Sequence, residues 1–519
     1  MKQPAATMLL CLATAVPAHA ALVVSKAPTN NVACVSGVCT ATAADAVLNA
    51  GDLKHLLAAG DVTVASGSAA EDIAFDAKLQ WTKPGRLTLD AWRGIAIGLD
   101  VTSEGAGGVT LTTNDGGSGG DLVFTGKGKV SFWDTSSSLI IDGTAYTLVD
   151  SIHALARAVA ANPSGAFALS KFYDASADGV YKNSAIIKPL RGTFEGLGHT
   201  IENLSLAPSQ RKDGFFADVA AGATVRDLTF ENPTVTVLRS GDVGVLAGGN
   251  EGTISHVSVV NAAVSANEAE AGGLVGRNDQ GTISWCSASG SVAAAGRHAY
   301  AGGLAGWNAG TVTHSSSNAS VTALVAGGLV GYNQGSVALS SAAGEVGSGA
   351  TNYSGGLVGM NAAGGTIDQS FTAGAVSGGN GQQYVKTYAG GLTTVNGGAI
   401  SDSYSVANVT VGRKGFSGGF AAFSVDAGSI STSYAAGTNL KEGKPSFGFI
   451  RSDGNGANDY WDTDTSGTTA GCDGNCAGVT GLTTAQFQSG LPAGFDPAVW
   501  AQSPDVNNGF PYLIDNPPQ

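Results

Sequence analysis

Side chains able to do chemistry are sparse in this sequence and mostly isolated. The histidines beyond residue 20 are His55, His153, His199, His256, His298 and His314, and none forms the HExxH pair of a zinc protease. No GxSxG stands in a strand-to-helix context, and neither a Walker phosphate loop nor a GGxGxDxUx calcium repeat occurs. Within 241–440 the densest charged group is Glu268, Glu270, Arg277, Asp279 and Arg297. Carboxylates a few ångströms apart are what polysaccharide cleavage requires. A solvated loop that keeps the chain soluble is the plainer reading, and we adopt it. Asp459, Asp462 and Asp464 carry the hard oxygen ligands that calcium takes, although aspartate is equally a common turn residue. These patterns assign no catalytic residue, no cofactor and no metal site beyond that calcium candidate.

A set of large side chains does recur at even spacing. Arg277, Trp307, Tyr332, Met360, Val395 and Phe423 follow one another at intervals of 25 to 35 residues. Aromatic rings repeated on a rigid face can stack on sugar rings or engage a protein surface. Arg277, Trp307, Tyr332, Met360 and Phe423 are therefore the candidate ligand-binding residues, with rings that merely cover one another as the alternative.

The element that must position them is a repeated phrase, GGLVGxN. It reads GGLVGRN at 272–278, GGLAGWN at 302–308, GGLVGYN at 327–333 and GGLVGMN at 355–361, with weaker copies at 214–220, 244–250, 390–396 and 418–424. Such a period signifies a stacked array of coils, not a globule around one cleft. A second apolar column follows at Ile254, Ile283, Val312, Val337, Ile367, Ile400 and Ile430. Nine residues further on, five coils carry Val292, Val321, Val346, Val376 and Val409. From these valines to the next phrase the gap varies from 6 to 14 residues, so insertions gather at one corner. Three short strands per coil, stepping about 4.8 Å, would make eight copies span on the order of 40 Å.

Each column acquires a role. Leu246, Leu274, Leu304, Leu329, Leu357, Leu392 and Phe420 should form a core stripe, and strand alternation places Val275 outward. Asn250, Asn278, Asn308, Asn333, Asn361 and Asn396 should hydrogen-bond along the axis as amide ladders do. Cys286 shares a column with Ser315, Ser340, Ser370, Ser403 and Ser433 and reads as a small inert residue.

Glycine, at 77 of 519 residues, is about twice its usual share, which suits tight β coils. The net charge of −14 argues against a nucleic-acid partner, which needs clustered Lys and Arg. Lys2, the apolar run 8–16 and Ala18-His19-Ala20 read as an export signal, residues 1–20. No later apolar run is long enough for a transmembrane helix. Export places Cys34–Cys39 and Cys472–Cys476 in an oxidising compartment as local disulfides, with zinc held by the four as the rival. Alternating runs before residue 145 predict β-rich, solenoid-like structure at 21–145. One helix is expected over 150–161, capped by Asp150 and stopped by Asn162-Pro163, within an insertion or cap at 146–190. Regular coils then occupy 191–440, and 441–519 forms a non-repetitive C-terminal cap.

GGLVGxN followed by GTI or GTV resembles the GLUG motif of secreted bacterial surface proteins. TLTTNDGG at 110–117, AANPSGAFALS, GTFEGLGHTI and the FDPAVW…NNGFPYL ending are similar to GLUG-bearing exoproteins related to filamentous haemagglutinin-like adhesins. The likeness covers about residues 70–519, and no NPNL or NPNG secretion domain accompanies it. The resemblance implies an all-β, right-handed parallel β-helix, Gram-negative export with an outer-membrane secretion partner, and adhesion to a host or neighbouring cell surface or glycan. The reading reached here is a secreted or cell-surface, non-catalytic β-helical adhesin. A polysaccharide lyase or hydrolase on the same scaffold, and a structural spacer, are the alternatives.

Overall fold

The computed structural model describes residues 20–239, 241–347, 353–379, 386–425, 428–452 and 454–518. The chain divides into two compact units, one of Met1–Tyr173, Gly192–Ile201 and Arg226–Thr229, the other of the remaining residues. The export signal read at 1–20 lies, Ala20 apart, outside the described residues.

In the first unit the plan of three strands per coil is plain in three successive coils. They are Asp72–Phe75, Leu79–Trp81 and Leu87–Asp90; Ile95–Ile97, Val101–Ser103 and Val109–Thr112; Leu122–Phe124, Val130–Phe132 and Leu139–Ile141. Coils pair in parallel register, so Ile73, Ile95 and Leu122 form one buried column and Leu87, Val109 and Leu139 another. The expected helix spans Ile152–Ala161 with Ile152, Leu155 and Val159 buried, but its cap is Ser151, whose hydroxyl accepts from Ala154 N at 3.3 Å. Asp150 lies one residue too far back. A second helix, Ala50–Ala59, departs from the expectation of one. Its buried stripe includes only two large residues, Leu53 and Leu57, too few to read as a period, and Asn49 caps it. It packs against Leu79–Trp81, the edge strand of its sheet, and so covers an unpaired edge.

The second unit is a β-solenoid built on the phrase. One eight-stranded parallel sheet runs from Lys212–Asp213 through Glu270–Gly272 and Tyr300–Gly302 to Gly415–Gly418. A second runs from Phe216–Val219 through Val275–Asn278 and Ala305–Asn308 to Ala421–Ser424. A third side carries the predicted columns, Ile283 against Val312 and Val292 against Val321.

Every letter of the phrase has a steric or hydrogen-bonding cause. A Cβ on Gly302 would overlap the Ala305 carbonyl of its own coil, one on Gly303 the Ser317 hydroxyl and, in the next coil, the Gly328 carbonyl, so the paired glycines answer crowding within and between coils and not backbone conformation. Leu304 N and Ala305 N both donate to the Leu329 carbonyl, at 2.9 and 3.1 Å, and the same pair of bonds recurs in neighbouring coils. Two residues facing one make a bulge, which breaks period-2 alternation. Val275, expected outside, is consequently buried beside Leu274. The asparagines form the expected ladder, each Nδ2 donating to the next Oδ1 at 2.8 Å from Asn250 to Asn396, all shielded from solvent.

A second ladder lies behind the serine column. Ser315, Ser340, Ser370, Ser403 and Ser433 each accept from the backbone N–H one coil back and donate to the carbonyl two residues earlier. The residue before each serine, like Trp285 before Cys286 (φ 55°), is left-handed without being glycine: His314 (47°), Leu339 (48°), Gln369 (43°), Asp402 (43°) and Thr432 (48°). Stacking continues past residue 440, since Gly454–Asp462 pairs with Tyr434–Ala435 and then with Cys476–Leu482. The non-repetitive C-terminal segment follows, and its cover extends along one flank. Phe487, Phe495, Trp500 and Phe510 pack on the stacked rings of Tyr404 and Tyr434, and Trp500 Nε1 donates to Asp402 Oδ1 at 3.0 Å.

Candidate functional site

Strand register brings the predicted outward residues into one file: Arg277 pairs with Trp307, Trp307 with Tyr332, Tyr332 with Met360, Met360 with Val395 and Val395 with Phe423. All are partly exposed. Beside it stands a second file that the sequence reading missed, Lys212, Asp242, Glu270, Tyr300, Val325, Tyr353, Tyr388 and Phe416 in register. Its signal was present in the sequence: each of its members from Glu270 onward lies two residues before a glycine pair, as in Tyr300-Ala-Gly-Gly and Tyr388-Ala-Gly-Gly. Counting forward from the valines hid it, because the variable loops intervene.

The two files interlock through their rings. Trp307 and Tyr332 stack at 4.2 Å, and Arg277 lies over the other face of Trp307 at 4.6 Å. Both faces of the indole are thus occupied by neighbours. Tyr300 stands nearly perpendicular to both rings of the stack, at 5.6 Å from Trp307 and 5.4 Å from Tyr332. A ring equidistant from two stacked rings at that separation lays one face on their edges and turns the other away. Tyr353, Tyr388 and Phe416 stack at 5.1 and 5.6 Å, Phe423 meets Tyr388 edge to face at 5.3 Å, and Arg451 covers Phe416 at 4.3 Å.

At one end the files become charged. Arg277 Nη1 donates to Glu270 at 3.1 Å and Nε to Asp279 at 2.6 Å, while Lys212 pairs with Asp218 at 2.7 Å. Arg211, Lys212, Asp242, Glu270, Arg277 and Asp279 line a cleft of about 720 Å³. Burial pushes the Glu270 carboxyl up to about 7 against the pull of Arg277. Asp242 is raised by burial too, opposed by Arg277, Lys212 and Arg211. The five-membered charged group of the sequence is therefore split: Glu268 stands apart, accepting from Arg297 N and His298 N at 2.9 Å.

The remaining candidates have structural duties. Asp459 continues the serine ladder, accepting from Ser433 N at 3.0 Å, and burial pushes its carboxyl up to about 8. Asp462 caps the turn Thr463–Ser466 and accepts from Thr484 Oγ1 at 2.7 Å, and Asp464 accepts from Thr484 N at 2.9 Å. Among the described residues no group of three or more His, Cys, Asp or Glu is placed to hold a metal ion. Cys34–Cys39 and Cys472–Cys476 are disulfides, the first across an antiparallel hairpin, and Cys286 is buried. His314 stacks on Trp285 at 4.2 Å, with His256 behind it at 6.2 Å. In the first unit Arg226 binds Asp227 at 2.6 Å and Asp121 at 2.9 Å beside Glu195, whose carboxyl burial holds well above the usual range. Glu195 and Asp227 are buried. No helix among the described residues is long and apolar enough to cross a membrane.

Fold and columns together define a β-solenoid of stacked, repeated coils. Residues 268–293, the greater part of one coil, match the family described as the GLUG motif. A 78-residue stretch, 15% of this chain, is 36% identical to Halomucin of Haloquadratum walsbyi, and the match spans 1% of that protein's length.

Proposed function

We propose that this chain is a surface exoprotein whose repeated coils bind glycans along the paired aromatic files, without cleaving them. The observation that carries this reading is the perpendicular seating of Tyr300 on the Trp307–Tyr332 stack, which leaves a ring face turned from its neighbours on a rigid sheet. Pyranose C–H groups pack against such faces. Further along, Met360, Tyr388 and Phe416 offer ring edges and a thioether at successive coils. Each contact is weak, and a chain of sugars that spans several coils gains by avidity. The GLUG motif, the likeness to a protein named Halomucin and the two disulfides support a location outside the cell. The partner is a glycan of a host or neighbouring cell surface.

The test is retention of the full chain by a panel of immobilised polysaccharides, beside Tyr300→Ala and Trp307→Ala/Tyr332→Ala. Binding that both variants lose supports the reading, and equal retention of all three proteins refutes it. Glu270, a carboxyl with its pKa near neutrality in a cleft, favours a second reading as a polysaccharide hydrolase or lyase. Shortened polymer or new reducing ends after incubation would establish that reading in place of the first.

A further inference from the structure

We infer that the charged cleft beside Tyr300 is the terminal subsite of the glycan track and that it holds an uncharged hexose. The inference rests on the glycan-binding reading above. Register places Glu270 one coil and Asp242 two coils before Tyr300 in the same file, hence about 5 and 10 Å along the axis. A sugar chain lying on Tyr300 therefore runs directly into the cleft, whose volume of about 720 Å³ suits a small ligand.

The lining is chemically specific. Its three cations, Arg211, Lys212 and Arg277, balance its three carboxylates, Asp242, Glu270 and Asp279. A uronate or sulfated sugar needs a surplus of cations, an amino sugar a surplus of carboxylates, and the lining has neither. Most of these charges are already committed to one another. Lys212 is held by Asp218, and Arg277 is held by Glu270 and Asp279 through Nε and Nη1, which leaves Nη2 as a fixed donor. The Asp242 carboxylate makes no hydrogen bond to the described residues and is only partly exposed, so its oxygens are free acceptors at the cleft wall. Arg211 is exposed at the cleft and carries free donors. A carboxylate accepting from two adjacent hydroxyls, with guanidinium donors in the same cleft, fits a neutral polyol ring.

Isothermal titration of the full chain tests this. The probes are cellohexaose, maltohexaose and mannohexaose as neutral chains, a galacturonate hexamer as the acidic chain and a chitosan hexamer as the cationic one. The proteins are wild type, Asp242→Asn, Arg211→Gln and Trp307→Ala/Tyr332→Ala. A neutral hexamer should bind, with Asp242→Asn weakening it about ten- to hundredfold and the exposed Arg211→Gln change weakening it several-fold. If the ring variant loses binding while Asp242→Asn and Arg211→Gln bind as wild type, the track stands and the cleft subsite is refuted. If the acidic or cationic hexamer binds in preference and depends on Asp242, the ligand class is refuted. If no probe binds wild type, the glycan reading and the subsite fall together.

Discussion

Removing one rung of the asparagine ladder should loosen the solenoid locally and severely. Asn308 Nδ2 donates to Asn333 Oδ1 at 2.8 Å and Ser336 O at 3.1 Å, and Oδ1 accepts from Asn278 Nδ2 at 2.8 Å and Gly310 N at 3.2 Å. Solvent does not reach it. In Asn308→Ala, Asn278 Nδ2 keeps the Gly281 carbonyl at 3.0 Å. Asn333 Oδ1 loses its ladder donor and Gly310 N its acceptor. A buried polar group left unpaired costs about 1–3 kcal/mol, so two of them, partly hydrated in the space vacated, cost about 3 kcal/mol. Coils couple mainly to their neighbours, so the loss should stay near the rung. Native-state hydrogen exchange over 272–341 should accelerate roughly a hundredfold, with the first unit unchanged. Asn308→Asp is sharper, because a carboxylate accepts but cannot donate to Asn333. Its buried carboxyl must titrate above the ordinary value, so stability should return as pH falls through that raised pKa and vanish as pH rises. Exchange within threefold of wild type in Asn308→Ala, or an aspartate variant as stable as alanine at neutral pH, would refute the ladder argument.

Asp459 ends the serine ladder with a carboxyl raised to about 8 by burial, above the unfolded value of about 3.9. Its protonated form favours the fold, so its contribution is complete below about pH 4 and lost as pH rises through about 8, with a slope of at most about 1.4 kcal/mol per pH unit. Urea midpoints between pH 5 and pH 9 should fall more in wild type than in Asp459→Asn, and parallel curves would reject this assignment. Gly303→Ala forces a Cβ into the Ser317 hydroxyl and the Gly328 carbonyl and should lower stability by about 2–3 kcal/mol. Thr432→Gly relieves a β-branched residue at φ 48° and should raise stability by about 1 kcal/mol, and opposite shifts in urea midpoint check the pair.

The legible parts of this fold were those repeated in every coil. The core leucines, the asparagine ladder and the serine column are set by identical residues at identical intervals, so one coil predicts the next. Val275 was misplaced because the bulge before it is made by backbone bonds to the neighbouring coil, which no residue type announces. The left-handed corner was invisible for a related reason: Trp285, Leu339 and Thr432 stand where glycine or asparagine would ordinarily mark such a turn. Of the candidate site, one file was read correctly as outward-facing, yet its rings proved to cover one another. The second file and Asp242 emerged only once register set the two sheets side by side.

Hydroxyl-radical footprinting of the full chain, free and bound to a polysaccharide that retains it, addresses the central claim most directly. The account predicts protection of Tyr300, Tyr332, Met360, Tyr388 and Phe416, with Trp285, 39% exposed at the left-handed corner after Thr282–Ser284, unchanged. Protection centred on Trp285 or on the C-terminal flank, with the paired files as reactive as in the free chain, would contradict it.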